Sequence, residues 1–167
     1  MMPKMMPKMM PIIEELKTLL PDADATAQAG ERLAQGLAPG TLITLSGELG
    51  AGKTTLVRGM LRRLGWKGPV KSPTYTLLEH YLVSRLYFYH FDLYRFKDPE
   101  EWDRAGFSEY LRPDTVCVLE WPERAAGWLP TGDLALRFEH ADSARTLTLR
   151  ATSAQGSACL DVFAANP

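Results

Sequence analysis

Gly47-Glu48-Leu49-Gly50-Ala51-Gly52-Lys53-Thr54 fits the pattern G-x-x-x-x-G-K-[ST] without a mismatch. The spacing serves phosphate chemistry. Glycines let successive backbone N–H groups turn inward around a phosphate, and a following helix adds the partial positive charge of its N-terminus. Lys53 then reaches the β- and γ-phosphates as a point charge, and the Thr54 hydroxyl is a ligand for Mg²⁺. The pattern carries weight only between a strand and a helix. Leu42-Ile43-Thr44-Leu45 precedes it as an apolar run, and the amphipathic Thr55-Leu56-Val57-Arg58-Gly59-Met60-Leu61 follows. These residues point to a bound nucleoside triphosphate.

Phosphoryl transfer needs an acid for Mg²⁺ or its waters and a second group to position the attacking water. Two acids end apolar runs, Glu120 after Val116-Cys117-Val118-Leu119 and Asp92 after Tyr89-His90-Phe91. Glu120 ends the most apolar strand, where P-loop folds place the Mg²⁺-side acid. Asp92 stands among aromatics that suit either a site or an edge strand with one polar face. Ser72-Pro73-Thr74-Tyr75 falls where nucleotide switches carry a hydroxyl that senses the γ-phosphate, although it is also a common turn sequence. His90 is left without a catalytic role, because a histidine in an aromatic-rich strand is more often a core residue.

The elements that must hold these groups follow from pattern. Asp24 is read as the N-cap of a helix to Leu37, closed by Pro39-Gly40. A strand over Thr41–Leu45 leads to the loop, and the loop helix runs to Leu64 with Gly65 past its end. Tyr75–Val83 and Leu86–Tyr94 read as a hairpin. Asp98 opens a helix at Pro99-Glu100-Glu101-Trp102 that ends before Pro113. Thr115–Leu119 is continuous and β-branched, which suits a parallel strand buried on both faces. Leu134–Phe138 and Thr146–Leu149 alternate with period two around Ala141-Asp142-Ser143 and read as a second hairpin. The expected fold is α/β: one P-loop NTPase domain whose mixed sheet has a parallel core extended by antiparallel strands. Residues 1–20 are expected as a low-complexity, flexible arm, with a short helix over Ile12–Leu20. Residues 21–152 form the ATPase domain. Residues 153–167 form a tail that adds an edge strand at Cys159–Phe163 or frays.

The chain has 167 residues, enough for one domain, with 19 Lys and Arg against 20 Asp and Glu. That balance excludes a strong electrostatic footprint for nucleic acid, so any role with RNA runs through partner proteins or a small local patch. Cys117 and Cys159 are far apart and make no metal-like cluster. Cys117 lies in an apolar run and is expected to be a buried small hydrophobe in a reducing cytoplasm. No run approaches the ~18 apolar residues of a membrane span. The repeat Met1-Met2-Pro3-Lys4, Met5-Met6-Pro7-Lys8, Met9-Met10-Pro11 is broken by proline before a signal-peptide core can form. It is given no function.

Several of these stretches together resemble the TsaE (YjeE) family of bacterial ATPases in tRNA threonylcarbamoyladenosine synthesis. They are Gly47–Thr55, Lys71-Ser72-Pro73-Thr74-Tyr75-Thr76-Leu77, His90-Phe91-Asp92-Leu93-Tyr94-Arg95, Asp98-Pro99-Glu100-Glu101 and Glu120-Trp121-Pro122-Glu123. The resemblance covers Pro21 to Arg150 in order. It implies an ATPase using ATP and Mg²⁺ that works with the TsaB–TsaD pair and meets tRNA only through that complex. It further implies that Glu48 to Thr55 wrap the phosphates, with Thr55 capping the α-phosphate, Thr54 on Mg²⁺ and Thr74 in a switch-like segment. By the same resemblance, Asp92 positions water, Glu120 is the Mg²⁺-side acid, Trp121 is a site-proximal aromatic and Arg145 lies near the nucleotide. Whether an activating arginine is Arg145 or comes from another chain stays open.

Three rivals share the loop. A small-molecule kinase usually carries an arginine-rich lid, whereas the segment after Trp121 offers Arg124 and little else. A GTPase needs an [NT]-K-x-D element, yet the only asparagine is Asn166 and no Thr-Lys pair occurs. A nucleotide-sensing scaffold would bind ATP without turning it over.

Overall fold

The computed structural model describes residues 15–48, 50 and 52–166. Leu49, Ala51 and the methionine-rich repeat lie outside the described residues. Strands β1 (Glu15–Leu20), β2 (Leu42–Ser46), β3 (Leu78–Val83), β4 (Leu86–Asp92), β5 (Thr115–Glu120), β6 (Leu134–Ala141) and β7 (Ala144–Ala151) form one sheet of order β1-β7-β6-β2-β5-β4-β3. β6, β2, β5 and β4 run parallel, and β3, β7 and β1 add antiparallel edges. This is the expected mixed sheet with a parallel core. The parallel registers bring the C-terminal ends of β2, β5 and β4 together, so that Leu45 pairs with Glu120 and Glu120 with Asp92.

Helices α1 (Ala23–Ala34), α2 (Lys53–Arg63) and α4 (Ala154–Ala165) belong to the core on one face of the sheet. Ile43, Leu45, Val116 and Val118 meet Leu33, Leu56, Met60 and Phe163 there. On the other face Leu42, Cys117, Leu119 and Phe91 pack with Trp102 of the short α3 (Glu101–Arg104) and with Phe107 of the 3-10 turn after it. β5 is buried at all six positions. Its unbroken apolar run is therefore the signature of a strand covered on both faces.

α1 and α2 cross at two glycines. A Cβ on Gly30 would strike the Leu56 carbonyl, and one on Gly59 would strike the Ala27 carbonyl. Only glycine lets these backbones approach so closely. Arg32 fastens α1 to α4, donating to the Phe163 carbonyl (3.0 Å) with its guanidinium over the Phe163 ring.

Four expectations are corrected. The N-cap of α1 is Asp22, not Asp24; its carboxylate accepts from the Ala25 amide (2.8 Å) and α1 ends at Ala34. Glu15–Leu20 is a strand rather than a helix, because β7 offers an open edge and residues 16, 18 and 20 form the less exposed face. The C-terminal segment is a helix rather than an edge strand. Ser153 caps α4 by accepting from the Gly156 amide (2.9 Å), and Gly156, Cys159, Leu160 and Phe163 are its buried stripe at helical spacing. The expected helix at Asp98 is reduced to the single turn of α3, which Glu101 braces by accepting from the Lys97 and Asp98 amides.

Candidate functional site

β2 delivers the chain to the glycine loop, and α2 begins at Lys53. Gly52, before it, has φ +107°, a left-handed conformation that glycine adopts without strain. No side chain caps α2, so its first amides keep no side-chain partner of their own. The loop faces a cleft of about 250 Å³. Gly50 and Gly52 to Thr55 line one side, Ser72 and Thr74 another, and Asp92 and Glu120 the end of the sheet.

Lys53 is 5% exposed, and its Nζ donates to the Gly47 carbonyl (2.6 Å) while lying 4.3 Å from the Trp121 ring centre. Burial pushes its pKa down, against the pull of Glu120, Asp92 and Glu123. Trp121 itself takes φ +60°, a left-handed conformation costly for a bulky residue, and it follows directly on Glu120. The turn sets the indole beside the lysine.

Asp92 and Glu120 are 2% and 4% exposed. Asp92 accepts from the Tyr94 amide (2.9 Å) and from the Thr74 hydroxyl (3.3 Å), and Thr74 in turn shares a hydrogen bond with Ser72 (2.8 Å). Loss of solvent raises the Asp92 pKa; the Tyr94 amide opposes this, and Glu120 adds to it. The switch-like hydroxyl expected from sequence is thus in contact with the expected water-positioning acid. His90, left aside by sequence reasoning, is fully buried with its Nε2 2.6 Å from Glu120 Oε2. Its signal was only the two-residue offset from Asp92, which puts both on one face of β4.

A second cleft of about 210 Å³ shares Gly50, Gly52 and Thr55 with the first. Arg145 lines it and donates to the Gly50 carbonyl (3.4 Å), and its buried Nε has no partner among the described residues. Leu20, Asp22, Thr26 and Ser143 are among its other lining residues. These four belong to no phosphate motif; only the pairing of Leu20 with Arg145 across β1 and β7 brings them in. The Glu48 carboxylate is turned to His140 (3.3 Å), so only its backbone is directed by the loop. Leu49 and Ala51 lie outside the described residues.

The donors present suit Mg²⁺. Among the described residues no three His, Cys, Asp or Glu groups are arranged to hold a metal by themselves. The hydroxyl of Thr54, at the start of α2, and two carboxylates are among the groups lining the cleft, and Mg²⁺ is bound through few protein oxygens when phosphates supply the rest. No helix among the described residues is long and apolar enough to cross a membrane.

The family described as threonylcarbamoyl adenosine biosynthesis protein TsaE matches residues 20–147. The chain is 40% identical to a tRNA threonylcarbamoyladenosine biosynthesis protein TsaE of Haemophilus influenzae, covering 90% of this chain and 99% of that one. It is 34% identical to the protein of that name in Bacillus subtilis, over 83% and 87% of the two chains. The crystal structure of Bacillus subtilis YdiB superposes with a TM-score of 0.78 at 27% identity, covering 91% of this chain and 95% of that one. With a family model matched over residues 20–147 and relatives matched over most of its length, the chain belongs to the TsaE family.

Proposed function

We propose that this chain is a Mg²⁺-dependent ATPase that supports formation of threonylcarbamoyladenosine in tRNA by acting on the TsaB–TsaD complex. The observation that carries the ATPase reading is the convergence of Lys53, Thr54, Asp92 and Glu120 on one cleft beside the glycine loop. The phosphates occupy that cleft, and the ribose and base extend toward Arg145 and Thr26. Lys53 leaves the Gly47 carbonyl to meet the β- and γ-phosphates. Thr54 and Glu120 would hold Mg²⁺, which when bound would neutralise phosphate charge and fix its orientation. Asp92, kept in place by Thr74 and the Tyr94 amide, accepts a hydrogen bond from the attacking water. The missing guanine element makes ATP the preferred nucleotide.

The test is reconstitution with TsaB, TsaD, TsaC, threonine, bicarbonate, ATP and unmodified tRNA. Multiple-turnover modification should require this chain and should fail with Lys53→Ala. Equal turnover without the chain overturns the reading and favours a small-molecule kinase, which a coupled assay for a phosphorylated acceptor would detect.

A further inference from the structure

Asp92 at the phosphate cleft is held by the Tyr94 amide and the Thr74 hydroxyl, whereas Glu120 has one short contact to a histidine hidden behind it. His90 is 0% exposed and lies on β4 between Phe88 and Asp92, on the same face as both. Its Nε2 is 2.6 Å from Glu120 Oε2, and its Nδ1 has no hydrogen-bond partner among the described residues. The contact to Glu120 is therefore the one polar interaction the imidazole makes there. Burying an imidazole with one nitrogen unmatched is less favourable than burying an aromatic ring, and Phe88 and Phe91 fill neighbouring positions of the same strand. The histidine is unnecessary for packing; its chemistry is spent on the carboxylate. With its hydrogen on Nε2 the ring donates to Glu120 and leaves a lone pair unmatched on Nδ1.

We propose that His90 is a positioning residue that pins one oxygen of Glu120, so that the other is presented to the cleft in a fixed orientation for Mg²⁺ or its water shell. The proposal rests on the reading of Glu120 as the Mg²⁺-side acid. A free carboxylate on a Glu side chain has several rotamers, and holding one of them removes that entropy before the cation arrives. Partners of this kind, one layer behind the ligand, typically set metal affinity by about 10- to 100-fold.

The experiment measures ATP binding by calorimetry across a Mg²⁺ titration and again in EDTA, with thermal unfolding as the folding control. His90→Leu removes the donor. His90→Gln replaces it with an amide nitrogen of similar reach to Nε2, and His90→Asn supplies one that stops short. The expected result is a Mg²⁺ midpoint raised about tenfold in H90L and H90N, restored in H90Q, with ATP affinity in EDTA unchanged in all three. An unmoved midpoint in H90L overturns the proposal, as does an equal fall in EDTA or a failure of H90Q to differ from H90N. Should H90L fail to fold, the comparison of H90Q with H90N decides alone. Glu120→Gln separates the two levels. If E120Q shifts the midpoint and the His90 variants do not, the positioning role fails; if E120Q shifts nothing, the Mg²⁺ role of Glu120 fails first.

Discussion

Asp92 carries its charge against its surroundings. Loss of solvent raises its carboxyl pKa above the ordinary carboxylate range, and Glu120 beside it adds to the effect. A folded pKa above the unfolded one means that the native state holds its proton longer as pH rises. Stability from this group is therefore highest below the unfolded value near ~3.9 and falls as pH rises through the folded value. Asp92→Asn keeps an acceptor for the Tyr94 amide and removes the charge. It should raise the melting temperature of the nucleotide-free protein at neutral pH, by about 2–4 °C for each kcal/mol relieved, with the gain vanishing in acid. The same variant should lower the single-turnover rate of ATP hydrolysis while leaving ATP affinity near the wild-type value. Melting curves at several pH values and single-turnover kinetics check both halves. Lys53→Ala, measured in the same way, should abolish turnover. At this scale the sequence singled out Lys53, Thr54, Asp92 and Glu120, which the fold brings to one cleft. It was silent on His90, because a hydrogen bond across neighbouring strands depends on register, and register is not written in the spacing of either strand alone.

The crossing of α1 and α2 sets the angle at which the loop helix meets the sheet, and a sharp test lies there. In an isolated helix Gly59→Ala would stabilise by up to ~1 kcal/mol. Here the added methyl meets the Ala27 carbonyl, so the substitution should instead destabilise by about 1–3 kcal/mol in urea unfolding. A stabilised Gly59→Ala variant would mean that the helices do not approach as described. Elements with strong local signals were legible: the hairpin of β6 and β7 from its alternation, β5 from its unbroken apolar run. β1 was not, since six residues with one buried side chain acquire strand character only from the edge of β7. α4 was misread for a different reason. Its stripe of Gly156, Cys159, Leu160 and Phe163 is helical, but the small residues around it carry little amphipathic contrast.

Across the molecule, the charges nearly cancel, with a formal net charge of −1. The chain alone should therefore retain no unmodified tRNA at ~150 mM salt in a filter-binding assay, whereas a complex with TsaB–TsaD should. Strong salt-resistant binding by the isolated chain would contradict the indirect route. β1 has a further consequence. It is bonded to the sheet only through β7, half of its side chains face solvent, and yet its last residue, Leu20, lines the cleft beside Arg145. Segments of this kind open locally at a small fraction of the free energy needed to unfold the core. The wall of that cleft can thus open while β2 and β5 stay folded. Amide hydrogens of β1 should exchange with deuterium far faster than those of β5, and saturating ATP should slow β1 selectively, because a ligand that needs the wall in place protects it by mass action.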